Sequence, residues 1–212
     1  MFWKGFLMSF VIYLIENILD VVLCFDEIEN FQATQMELYL DAKTIEFFNV
    51  LIIAPMLYGI FGSLIVDENN FTLDWFAFFQ IILIQNILYF FIHRYMHITN
   101  SPIHKFHHLF QEQVFPSTAN TVSVSEFLIA YLLPLFAGGC LSKTNEVTFL
   151  SASYTISMFN ILVHIKQLES LPYPQCLVSP LKHLDHHKRK TKNYASPILD
   201  VEWFIVDRKM NF

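Results

Sequence analysis

Five stretches of the chain are almost pure hydrocarbon: Phe6–Phe25, Ile45–Val66, Phe71–Ile92, Val122–Leu141 and Val147–Ile165. Each is close to the ~20 residues that carry a helix across a bilayer core. The pattern predicts an all-α integral membrane protein with four to five transmembrane helices. The first stretch carries Glu16, Asn17 and Asp20, polar groups expected to face other helices or the interface. It has no small-residue cleavage site and outruns a signal-peptide core, so it reads as a retained anchor. The fourth contains Glu126 and Pro134, which suggests a kinked or re-entrant segment.

Composition agrees with the pattern. Of 212 residues, 54% are hydrophobic and only 15% charged, and the mean hydropathy is +0.42. Soluble domains are roughly 25% charged, so this chain lacks the polar surface to face water on all sides. The length suits one membrane-embedded domain over residues 1–212. Cys24, Cys140 and Cys176 are far apart, which excludes a CxxC zinc site and argues against a disulfide framework. No basic patch of nucleic-acid type occurs, and no nucleic-acid partner is expected.

Charge gives the orientation. Eight of the 13 basic residues follow Ile165: Lys166, Lys182, Lys188, Arg189, Lys190, Lys192, Arg208 and Lys209. The positive-inside rule places this tail in the cytosol. Counting back through five crossings puts residues 93–121 in the cytosol too, with "DENN" at 67–70, "SKTN" at 142–145 and the N-terminus on the other side. The sequon Asn70-Phe71-Thr72 then lies on the outer side but against the membrane.

That topology gathers all nine histidines on one face. Three tight clusters stand out: "HRYMH" at 93–97, "HKFHH" at 104–108 and "HLDHH" at 183–187. On a helix, residues three and four apart share a face, about 5–6 Å between their side-chain bases. Two imidazoles can therefore converge on one metal, and neutral imidazole suits Fe, Zn, Cu or Ni. Eight histidines exceed what one tetrahedral zinc needs. Left without a metal, such a crowd of imidazoles beside a low-dielectric phase is costly. A zinc hydrolase of the HExxH type has no counterpart here. A metal-binding or transport protein without redox turnover is the alternative class, although its ligands belong nearer the bilayer midplane.

At these residues the chain resembles the fatty acid hydroxylase superfamily of membrane di-iron oxygenases, which includes sterol desaturases and sphingolipid hydroxylases. The family signature HxxxH, HxxHH and a later HxxHH is matched by His93/His97, His104/His107/His108 and His183/His186/His187. The likeness covers roughly residues 70–205 and is closest to the sphinganine C-4 hydroxylases, through "IHRYMH" and "KNYASP".

The resemblance implies a helical membrane base with a cytosolic histidine-rich catalytic cap. It also implies two iron ions (zinc being a possible substitute) and molecular oxygen. A membrane lipid would be the substrate, and a cytochrome b5-type donor would act in trans, since no haem motif is present. The location would be the endoplasmic reticulum. On this reading His93, His97, His104, His107, His108, His183, His186 and His187 are catalytic metal ligands, with His164 a ninth ligand. Glu126, Asn160 and Asn193 are candidates to support the ligands from behind, Glu126 having helix packing as its alternative role. A sterol oxidase or desaturase is the runner-up. "HIKQLES" and "DVEWFIVD" depart from the family's usual motifs, and both lie outside the three histidine clusters. The run Lys188–Lys192 reads as a positive-inside flank or as a landing site for the acidic donor or anionic headgroups. Trp75 and Trp203 read as interfacial anchors.

Overall fold

The computed structural model describes residues 1–67, 70–111, 113–195 and 197–205, and among them no strand occurs. Among these residues five helices are long and apolar enough to cross a membrane: α1 (Phe2–Leu23), α2 (Phe25–Ile65), α3 (Trp75–Ile98), α4 (Val124–Ser142) and α5 (Glu146–Val163). A shorter helix, α6 (Pro180–Arg189), follows. Local chemistry sets the starts. Asp74 opens α3 by accepting from the backbone N–H groups of Phe76 and Ala77, and Asn145 opens α5 through Thr148 N–H. Ser179 does the same for α6, with Pro180 in the first turn where its missing N–H costs nothing.

The helices pack through small residues. A Cβ on Gly138 of α4 would lie 3.1 Å from the carbonyl oxygen and 3.3 Å from the Cα of Ile81 on α3. Lipid offers no hydrophobic drive between helices, so this close backbone approach is what holds such a pair. Ile81, Leu135, Phe149, Ala152 and Tyr58 fill the centre of the bundle.

The two ends of the bundle differ. At one end Lys4 pairs with Glu146 and Asp67 bridges to Asn145, so the start of α1 and the α2–α3 and α4–α5 turns lie together. The other end carries the α1–α2 turn, the α3–α4 connection and everything after α5, tied by Gln167 Nε2 donating to Leu23 O at 2.6 Å. All nine histidines are at this second end.

Three features depart from the sequence reading. First, α2 begins some twenty residues before the apolar run, because Phe25–Thr44 holds six acidic and basic side chains that hydropathy takes for a loop. This part is helical apart from a break at Gln35 (φ −143°, ψ 48°). Its apolar side, with Phe31, Leu38 and Tyr39, packs on Phe106, Phe110 and Phe115 and roofs the loop that bears the second histidine cluster. Second, α3 runs on to Ile98, so His93 and His97 sit on its last two turns instead of just past it. Third, α4 is one unbroken helix, not a re-entrant pair; the irregularity expected at Pro134 takes the form of a widened π stretch at Phe127–Leu132 just before it. Arg208 and Lys209 of the basic tail, the end of "DVEWFIVD", Ser196 of "KNYASP" and part of "DENN" lie outside the described residues.

Candidate metal centre

The nine histidines form two groups. His93, His97, His104, His108 and His186 make the first; His107, His164, His183 and His187 make the second; within each, the candidate ligand nitrogens lie within 4.8 Å of one another. The helical register explains the division. His93 and His97 are i, i+4 on α3, and His183 and His187 are i, i+4 on α6. His186, rotated about 100° from His187, reaches the other group. The neighbours His107 and His108 likewise part.

Each group is built around its Nε2 atoms. In the first, His93 and His104 are 3.0 Å apart, His97 and His104 2.9 Å, and His104 and His108 2.8 Å. In the second, His164 and His183 are 3.1 Å apart and His183 and His187 3.2 Å. A metal about 2.0–2.1 Å from each imidazole nitrogen puts neighbouring ligand atoms roughly 3 Å apart. Neutral imidazoles carry their lone pairs on these atoms, so the clusters are shaped for cations.

Five of the opposite ring nitrogens are held by the protein. His93 Nδ1 donates to Tyr194 O at 2.8 Å and His186 Nδ1 to Lys192 O at 2.8 Å. His164 Nδ1 donates to Asn160 O at 2.7 Å, and His107 Nδ1 to Thr121 O at 3.4 Å. His104 Nδ1 faces Glu126 Oε1 at 2.5 Å. Such acceptors fix the tautomer and aim the other nitrogen at the centre.

The sequence candidates behind the ligands thus separate. Glu126 is in place. Asn160 contributes its carbonyl, while its side chain donates to Ala119 O at 3.1 Å. Asn193 has a left-handed backbone (φ 59°) and donates to Asp185 at 3.0 Å; the residue after it supplies the carbonyl for His93. Residue identity could not reveal the acceptors at Thr121, Lys192 and Tyr194, because every residue type offers that carbonyl.

Burial keeps the ligands neutral. It holds His104, His107, His108, His183 and His187 well below the usual histidine range, neighbouring imidazoles adding to the effect. His164 and His186 are lowered to about 4, again through burial. Buried polar atoms without a protein partner concentrate here, including His186 Nε2, the nitrogen facing the first group. Neutral, converging, nitrogen-only donors fit two first-row metal ions.

Access is unequal. An opening lined by His97, His104, His108, Lys105, Gln111 and Lys190 reaches the first group from the surface, and His97 is only partly buried. The second group is buried throughout. On the membrane side lies a narrow cavity of about 50 Å³, lined by apolar side chains together with Gln85, Tyr89, Asn120, Ser157 and Asn160. Tyr89 also packs on His93, their rings 5.1 Å apart.

Fold and site together define a multi-pass helical membrane protein with paired histidine centres at one end and a cavity within the bundle. The chain belongs to the fatty acid hydroxylase family, whose pattern it matches over residues 78–204. Membership brings the family's chemistry, lipid oxygenation or desaturation at a histidine-rich metal site. No curated protein and no solved structure matches the chain.

Proposed function

We propose that the protein is a dioxygen-dependent, di-iron lipid hydroxylase acting on an unactivated C–H bond, with a sphingoid base or ceramide as substrate. The observation that carries this reading is the junction of centre and cavity: Tyr89 lines the cavity and packs on the ligand candidate His93. A chain entering from the bilayer would present a carbon to the histidines there. The polar groups Asn120 and Asn160 in the same wall suit a substrate whose reacting carbon lies near hydrogen-bonding groups, as in a sphingoid base.

The two histidine groups would each hold one iron, which supplies dioxygen activation when bound. The chain's own residues do the rest. Carbonyls behind His93, His107, His164 and His186 keep the Nδ1 protons in place, and Glu126 does so for His104. Apolar walls exclude bulk water. Lys105 and Lys190, at the opening to the first group, give an acidic cytochrome b5-type donor a complementary approach. We place the histidine end in the cytosol and the protein in the endoplasmic reticulum membrane. With Cys140 and Cys176 replaced by serine, Lys190→Cys should then react with an impermeant maleimide in sealed, cytosol-side-out vesicles; protection until the vesicles are opened would reverse the orientation.

The functional test is expression in cells lacking sphinganine hydroxylase, followed by lipid mass spectrometry. Phytosphingosine should appear with the natural protein and not with His186→Ala. A shift in sterol intermediates instead would move the substrate to sterols and keep the chemistry. No histidine-dependent change in any lipid would sink the oxygenase reading.

A further inference from the structure

The family match begins at residue 78, so α1 and α2 precede it entirely, yet these helices carry a buried polar network that ends at the second histidine group. Glu16 and Asp20 lie one turn apart on α1, and Lys43, Glu46 and Asn49 lie on α2. Lys43 Nζ donates to Asn17 Oδ1 at 2.8 Å, Asp20 Oδ2 at 3.2 Å and Glu46 Oε2 at 2.9 Å. Glu16, Glu46 and Asn49 are completely buried. Three carboxylates and a lysine in this setting are expensive unless they hold something in place.

What they hold is the Pro116–Asn120 turn and the residues just after it. Asn120 Nδ2 donates to Glu16, and Ser117 N–H donates to Asp20 Oδ1 at 3.0 Å. Asn49 Nδ2 donates to Asn120 O at 3.0 Å and Val122 O at 2.9 Å. The same segment faces the second group. Thr121 O accepts from His107, and Ala119 O accepts from Asn160, whose own carbonyl accepts from His164. The acceptors behind the first group are elsewhere, on Glu126, Lys192 and Tyr194. Hydrogen bonds from α1 and α2 therefore support one group and not the other.

We propose that Glu16, Asp20, Lys43 and Asn49 are positioning residues for the second metal site, acting through the 116–122 segment, so that the N-terminal helices complete a centre whose ligands all lie beyond them. The proposal rests on the histidine groups being metal sites. Its test is full-length protein purified in detergent and reconstituted with Co²⁺, with cobalt per chain and the visible spectrum as readouts. His97→Ala and His183→Ala provide the spectra of protein damaged in the first and second group respectively.

Glu16→Leu should bind about half the cobalt of the natural protein and leave the spectrum of His183→Ala. Glu16→Gln, which keeps an acceptor for Asn120, should restore the full amount. Asn49→Leu makes the same test from α2, should Glu16→Leu lose its helical circular dichroism. Full cobalt in both leucine variants, or equal loss from both groups in a folded variant, overturns the proposal. Natural protein that binds no cobalt would instead overturn the metal reading beneath it.

Discussion

Among the described residues Glu126 is the only carboxylate hydrogen-bonded to a candidate ligand, at 2.5 Å from His104, and its loss leaves that imidazole free to rotate or change tautomer. Glu126→Ala should weaken metal binding at the first group about 10–100-fold, measured by competition with a calibrated chelator. The lowered histidines make a second prediction, about pH. In metal-free protein His164 and His186 stay neutral down to about 4, against 6.5 for an ordinary histidine. Between those values the unfolded chain binds more protons than the folded one, so stability falls as pH falls. The melting temperature of natural protein minus that of His186→Asn, which isolates the histidine's share, should be level above about pH 6.5 and shrink towards pH 4; a difference that grows on acidification would contradict neutral burial. Three histidine clusters in order were enough to find eight of the nine converging residues, since ligand chemistry resides in side-chain type; His164 came from the family resemblance. What lay behind them was legible only for Glu126, because the remaining acceptors are backbone carbonyls placed by tertiary contacts.

At the scale of helices, hydrophobic runs located all five spans, because lipid-facing surface demands unbroken apolar sequence. They failed where a helix leaves the bilayer: the Phe25–Thr44 part of α2 and the last two turns of α3 owe their helicity to packing. Burial of Phe31 against Phe110 and Phe115 is a contact between segments some eighty residues apart, which no local window sees. Gly138 supplies the test of helix packing. Valine there would press on the backbone of Ile81, which cannot rotate away. Gly138→Val should cost about 1–3 kcal/mol, read as a lower unfolding midpoint in detergent, with the histidine end and its metal affinity unchanged per folded molecule. An undiminished midpoint would mean that α3 and α4 are looser than their contact distance indicates.

For the molecule as a whole, the division of labour is by depth: helices crossing the bilayer enclose the cavity, and the end regions assemble the histidines. The surface opening described above serves His97, His104 and His108, whereas His107, His164, His183 and His187 are sealed in. The consequence is kinetic. An ion in the first group can be handed stepwise to a chelator that enters from water, one ligand at a time. An ion in the second can leave only when α6 or the 116–122 segment opens. Chelation of loaded protein should accordingly run in two phases of equal amplitude, the fast phase rising with chelator concentration and the slow phase set by the protein's own opening rate. A single concentration-dependent phase would show both sites open alike. If two phases appear, oxidised or mismetallated protein could be repaired at one site without dismantling the other, and a half-exchanged, mixed-metal form becomes a species that can be isolated.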